Sequence, residues 1–385
     1  MSSRLKKAIV LNHVGFLGGA EVTILQIISR LKEAYEFHVI TYNNGEFVDK
    51  LREMRINVTV IEGNKWTEIR RSEMNFWTLF SIAWNLITSL FKTSIFLFKY
   101  QPDLIVTNTI KTHLIGALLK LVYPRCNVIW RIQDDLASKE FSEFSRFLFT
   151  SCQKLTAKII CVSEFVKETA KTIGIDSAKL VVVHNGVEIQ GMEPRLNQNN
   201  IVFAMVGWFY EWKGQDIVLD AWKSFLNRYT GPENVKLVFI GAAPPGNQVA
   251  EKFESNVKNK VVDQHIPRVE FWGVMDKPID KMHGNTVLIH SSKTPDPYPT
   301  VVLEALSRGF LVIGADSGGV PEMIINNKTG LLFETGSSES LASAMMTAVD
   351  RQVRESIRAR GFQECQSRMS LARQVELFGQ VLSQA

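Results

Sequence analysis

The chain has 385 residues, with 44 Lys and Arg against 39 Asp and Glu, a net charge of +5; 45% of residues are hydrophobic and 22% charged. That balance excludes a disordered chain, and the length exceeds one average core, so two domains are expected. Cys126, Cys152, Cys161 and Cys365 lie far apart without CxxC spacing, against a disulfide scaffold or zinc knuckle and in keeping with a reducing compartment. The positive surplus is too small and too dispersed to predict nucleic-acid binding.

In chain order, Ala8–Leu11 is too short for an export signal and reads as a first strand. Strand-like runs follow at Val39–Thr41, Val58–Ile61, Leu104–Thr107, Val128–Trp130, Ile159–Val162 and Leu180–Val183. Between the third and fourth lies Phe76–Phe91, uncharged and rich in aromatics, which falls short of the roughly 20 apolar residues of a spanning helix. It fits either a core-packing helix or a helix lying on a membrane surface, since Arg70, Arg71, Lys92 and Lys99 flank it. The polar stretch Glu188–Asn200, with Pro194, Asn197 and Asn199, reads as a linker. A second series of runs occupies Ile201–Val206, Leu237–Ile240, Val269–Trp272, Val287–Ile289, Leu311–Gly314 and Leu331–Phe333. From Ser337 the pattern is helical, with Leu341, Met345 and Val349 on one stripe. Near-continuous apolar strands alternating with crossover segments predict an α/β chain of two doubly wound, Rossmann-like domains, their parallel sheets covered on both faces. Ligands then belong at loops that follow strands, in a cleft between the two sheets.

Four such loops stand out. Gly15-Phe-Leu-Gly18-Gly19-Ala-Glu21 separates the first strand from a helix and suits either an anion or a plain tight turn. In Val206-Gly207-Trp208-Phe-Tyr-Glu-Trp212-Lys213-Gly214, Lys213 suits a phosphate or is a solvated surface lysine. Ser291–Leu306 holds three prolines and a helix start near Thr300, whose amides could face a diphosphate. Asp296 and Glu304 bracket that start as acceptors for sugar or ribose hydroxyls, or as ordinary surface carboxylates. Ser317-Gly318-Gly319-Val320-Pro321-Glu322 is a further turn. No DxD, HExxH, P-loop or GxSxG pattern occurs.

In this order the motifs resemble the GT-B retaining glycosyltransferases of family 4, over nearly the whole chain. Gly18-Gly19-Ala20-Glu21 resembles the GGAE turn. Cys161-Val162-Ser163-Glu164 and His184-Asn185-Gly186-Val187 resemble the VSE and NGV markers. Asp296 to Glu304 resembles the E-x7-E stretch with a shortened first acid, and Gly318–Glu322 the turn after it. The resemblance implies an N-terminal acceptor-side domain over 1–188, a nucleotide-sugar domain over 189–370, and a final helix from about 371 packing back on the first. It implies that Asp296 holds a hydroxyl of the donor sugar, Glu304 the ribose and Lys213 the diphosphate. Amides of Thr300, Val301, Gly18 and Gly19 contact diphosphate and sugar. Trp208, Tyr298 and Pro299 line the donor, and backbone at Gly273 and Val274 reads the base edge. Gln133, with Asp134, stands where the family has His-Asp, and Trp208 stands where it has Arg. Gln133 cannot carry a proton, and a missing arginine removes a charge-assisted contact that Lys293 could supply.

The implied activity is metal-independent transfer of a hexose, with retention, from a nucleotide-diphosphate sugar. UDP-glucose is the simplest donor. The acceptor would be a saccharide or lipid-linked saccharide in polysaccharide, glycolipid or cell-envelope synthesis. The expected setting is the cytoplasm, with peripheral membrane contact through Phe76–Phe91, no cofactor and no nucleic acid. A nucleotide-sugar epimerase and a non-catalytic nucleotide-sugar binder are the competing readings.

Overall fold

The computed structural model describes residues 4–61, 76–139, 141–193, 200–232, 234–283 and 285–385; for residues 76–83 and 86 only the backbone is described. Arg70, Arg71, Pro194, Asn197 and Asn199 lie outside these residues. The chain divides into two compact units, Met1–Asn185 with Leu371–Ala385, and Gly186–Ser370. The division falls just before the sequence-based boundary at 188/189.

Every strand-like run forms a strand. In the first unit these are β1 (Lys6–Asn12), β2 (Tyr35–Thr41), β3 (Asn57–Val60), β4 (Leu104–Thr107), β5 (Asn127–Ile132), β6 (Lys158–Cys161) and β7 (Leu180–Val182). They pair in parallel in the order β3-β2-β1-β4-β5-β6-β7. Helices α1 (Gly19–Leu31), α2 (Glu46–Glu53), α3 (Phe76–Tyr100), α4 (Ile110–Val122), α5 (Glu143–Cys152) and α6 (Glu164–Thr172) make the crossovers. Continuous apolar stretches such as Ala8-Ile9-Val10-Leu11 are fully buried, as a sheet covered on both faces demands.

The second unit has β8 (Asn200–Val206), β9 (Asn234–Ile240), β10 (Val269–Gly273), β11 (Thr286–His290), β12 (Leu311–Ala315) and β13 (Leu331–Phe333), in the parallel order β10-β9-β8-β11-β12-β13. Its helices are α7 (Gln215–Arg228), α8 (Gln248–Asp263), α9 (Thr300–Ser307), α10 (Val320–Met323), α11 (Ser338–Val349) and α12 (Arg351–Arg368). Leu341 and Met345 of α11 are buried with Phe203, Trp222 and Phe225. The last helix, α13 (Leu371–Gln384), belongs to the first unit, where Phe378, Val381 and Leu382 join Ile24 and Ile28 of α1. Chain order reverses between β1 and β4 and again between β8 and β11, and such switch points open a crevice at the carboxyl ends of parallel strands.

The core-packing reading of Phe76–Phe91 does not hold for its described side chains. Trp84 is 59% exposed and Phe91 66% exposed, and Ile87, Ile95 and Phe98 continue the exposed stripe along α3. The buried side is largely polar. Ser89 and Thr93 are inside with Leu97. Their hydroxyls bond back to the carbonyls of Asn85 and Ser89 (2.6 and 2.7 Å), and Thr93 meets the Tyr42 hydroxyl at 3.2 Å. Hydroxyls satisfied within their own helix can face a protein interior at little cost.

Candidate functional site

The second unit builds its site at its switch point. The loop after β8 carries Trp208 and Lys213, and the loop after β11 carries Ser291–Pro299. Because β8 and β11 are neighbours, these loops lie side by side although far apart in sequence. They are fastened together: the Lys293 amide donates to the Trp212 carbonyl at 2.7 Å, and the Ser291 hydroxyl donates to the Lys213 carbonyl at 2.9 Å. Gly214 has φ +81°, and a Cβ there would collide with the Ser291 carbonyl, so glycine permits this approach.

Lys213 and Asp296 meet as an ion pair, Nζ to Oδ2 2.9 Å, with side chains 23% and 14% exposed. Lys213 also lies 4.1 Å over the Trp212 ring, a cation–π contact. His290, the last residue of β11, has Nε2 3.3 Å from the same carboxylate oxygen and 3.2 Å from the Ser292 hydroxyl. Burial by itself would raise the Asp296 carboxyl, but the Lys213 ammonium and His290 hold it well below the usual carboxylate range. The turn Ser317-Gly318-Gly319 fixes the same loop from β12. The Gly319 amide donates to the Asp296 carbonyl at 2.9 Å. Gly318, at φ +63°, passes so close that a Cβ would strike that carbonyl.

Thr300 and Val301 open α9 after Pro299, where first-turn amides have no intrahelical acceptor. Glu304 lies one turn further, and burial, then the nearby Asp280 charge, push its carboxyl up to about 7. Tyr298 and Pro299 are buried, so the Tyr298 side chain packs inward. Gly273 ends β10 with φ +70°, and its carbonyl accepts from the Gly241 amide at 2.8 Å; Val274 beside it is exposed. Trp208 is exposed, and its carbonyl accepts from Gln215 at 2.9 Å. Lys293 is committed elsewhere, 2.7 Å from Asp216 in the first turn of α7.

The first unit has its own polar group at the β1/β4 switch point. Asn108 donates to Asn12 at 3.0 Å, and His13 meets the Thr109 hydroxyl at 2.8 Å. Arg131, fully buried on β5, donates to Asn108 and Asn185 at 2.7 Å each. Gln133 donates to the Asn108 carbonyl and side chain at 3.0 and 3.1 Å. Gly18 caps α1, its amide donating to Glu21 at 3.3 Å. Glu21 is buried, and burial raises its carboxyl. Burial, then Glu21, push Asp134 up to about 6. Burial, then Lys111, lower His13 to about 4. Among the described residues no three His, Cys, Asp or Glu side chains gather as a metal site.

Two family models divide the chain between them: Glycosyltransferase Family 4 over residues 17–190 and Glycosyl transferases group 1 over residues 188–363. The chain belongs to the family 4 glycosyltransferases. An uncharacterized glycosyltransferase of Methanocaldococcus jannaschii is 24% identical over 88% of this chain and 86% of its own length. The Escherichia coli UDP-Gal:alpha-D-GlcNAc-diphosphoundecaprenol alpha-1,3-galactosyltransferase is 22% identical over 66% of this chain and 68% of its own. The crystal structure of Anabaena HepE with UDP and glucose superposes with a TM-score of 0.82, at 22% identity over 99% of this chain and all of that one. The fold is therefore the two-domain α/β GT-B fold.

In this glycosyltransferase the second unit brings Lys213, Asp296 and the Trp208 loop together, with Thr300, Val301 and Glu304 along one helix. Gly18, Gly19 and Gln133 belong to the first unit. Sequence reading missed His290, Asn108, Asn12 and Arg131. Their signal was a polar residue at or near the end of an apolar strand, as in Val287-Leu288-Ile289-His290.

Proposed function

We propose that this glycosyltransferase moves a hexose from a UDP-hexose, most simply UDP-glucose, with retention and without a metal ion. The observation that carries the reading is the Lys213–Asp296 pair at the β8/β11 switch point, with the start of α9 and Glu304 behind it. A diphosphate at the first-turn amides of α9 would draw the Lys213 ammonium to the leaving-group oxygens, where negative charge develops. Asp296, released from Lys213 but still bonded to His290, would accept from a hydroxyl of the sugar. Glu304, ionised at neutral or higher pH, would accept from the ribose. Retention follows if the acceptor hydroxyl attacks on the face the diphosphate leaves, which then takes its proton. The HepE crystal structure holds UDP and glucose, which supports the choice of donor.

The acceptor we propose is a lipid-linked saccharide. The Escherichia coli relative is named for a diphosphoundecaprenol acceptor, and α3 carries the stripe Trp84, Ile87, Phe91, Ile95 and Phe98. No acidic residue occurs from Phe76 to Tyr100, and Lys92 and Lys99 are exposed there. Such a face suits the boundary of an anionic bilayer. Among the described residues no helix is long and apolar enough to cross a membrane.

The test is a thermal-shift panel of UDP, GDP, ADP and their sugars, followed by product analysis with lipid-linked acceptors. A ligand at 100 times its dissociation constant adds about 2.7 kcal/mol. UDP and UDP-glucose are expected to stabilise the chain, and transfer is expected to need an acceptor. No response to any diphosphate nucleotide refutes the donor reading, and epimerised donor without acceptor refutes transfer.

A further inference from the structure

A sheet in a doubly wound unit is expected to be covered on both faces, but among the described residues one face of the second sheet lines a cavity near the amino ends of β8 and β9. The alternation along the strands shows it. Ile201, Phe203, Val235, Leu237 and Phe271 point into the core. Their alternate neighbours, Asn200, Val202, Asn234, Lys236, Glu270 and Trp272, line a cavity of about 420 Å³. That volume falls within the roughly 300–1,000 Å³ of small-ligand sites. Asn200, Asn234 and Thr286 place most of this cavity at the amino ends of the strands, whereas Lys213 and Asp296 follow their carboxyl ends; Trp272, near the carboxyl end of β10, closes one side.

The lining holds one internally paired set of charges. Lys236 reaches both Glu270 oxygens at 3.1 and 3.0 Å, and the Trp272 indole donates to Glu270 at 2.8 Å. Lys236 also stands 5.3 Å over the Trp272 ring. Lys236 and Glu270 thus compensate each other around an aromatic plate, and Lys281 and His283 line the same cavity. Val202, Ala204 and Met282 supply apolar floor, and Asn234 stands exposed at the border. An amide offers both donors and an acceptor. An aromatic plate, an apolar floor and an amide edge match a neutral ligand with one C–H face and a rim of hydroxyls.

We propose that this cavity is a second saccharide-binding site, which holds a segment of oligosaccharide away from the donor. The binding claim does not depend on the donor reading; only the use of such a site, to retain a growing saccharide, rests on the acceptor being a saccharide.

Saturation-transfer NMR on the full chain with maltotetraose, cellotetraose and chitotetraose, each with saturating UDP, tests it. At least one tetrasaccharide should receive saturation, and UDP should not displace it. Trp272→Ala should abolish the transfer, Trp272→Phe should keep it, and Lys236→Ala should weaken binding at least tenfold. Should Trp272→Ala fail to fold, Asn234→Leu on the exposed rim should give the same tenfold loss. Asp296→Asn should leave the transfer unchanged. The proposal is overturned if none of the three sugars responds, or if Lys236→Ala and Asn234→Leu bind as the parent does. UDP binding in the same samples separates the two failures, because a chain that binds UDP but no tetrasaccharide refutes only this site.

Discussion

Asp296→Asn gives the sharpest test of the donor site. In the free protein Lys213 is held by Asp296 at 2.9 Å, so a diphosphate must take the ammonium from that carboxylate. A hydrogen bond between charged groups contributes about 1.5–3 kcal/mol net. Lys213 is 23% exposed and keeps its contact with the Trp212 ring after the change, so the lower end, about 1.5 kcal/mol, applies. Removing the negative charge should then tighten UDP binding about tenfold. UDP-glucose gains the same freed lysine but loses a charged acceptor for its sugar hydroxyl, a contact of similar size. Its affinity should hardly move, and the preference for UDP-glucose over UDP should shrink about tenfold, while turnover falls. Titration calorimetry with both ligands measures this. Weaker UDP binding in Asp296→Asn refutes the idea that the carboxylate holds Lys213 back from the phosphate.

Four further outcomes are expected. Glu304 has its carboxyl raised to about 7, and ribose hydroxyls donate to its ionised form, so UDP affinity should fall as pH drops from 8 to 6. Glu304→Gln should flatten that profile and weaken UDP at pH 8 by roughly tenfold. The linked stability runs the other way: a raised carboxyl stabilises the fold fully below its unfolded value of 4.5, and that contribution is lost as pH rises through about 7. UDP-free melting should show this decline, and an unchanged decline in Glu304→Gln would assign it elsewhere. Gly318→Ala forces a Cβ into the Asp296 carbonyl at a positive φ, a strain of about 1–3 kcal/mol. It should lower kcat/KM at least tenfold with the fold intact, and parental activity would show that the turn does not position Asp296. Replacing Trp84 and Phe91 together by Ser should release the chain from phosphatidylglycerol vesicles in sedimentation; a parent chain that never sediments with them rules out the membrane face.

The sequence by itself determined the secondary structure, because burial on both faces of a parallel sheet requires the apolar runs that mark each strand. It also marked the loops that carry Lys213, Asp296, Thr300 and Glu304, since glycines and prolines between a strand and a helix record where the backbone turns. Tertiary structure alone decided what those loops do together. Lys213 and Asp296 meet because strand order reverses between β8 and β11, a consequence of topology that neither loop encodes. The glycine turn at Ser317–Gly319, uninformative as a motif, proves to clamp the Asp296 backbone. Lys293, equally basic in sequence, is neutralised by Asp216 on a helix it meets only in the fold. The orientation of α3 was likewise hidden, because Ser89 and Thr93 can face inward once their hydroxyls bond their own helix. Composition predicts which residues can be buried; only the packed structure decides which are.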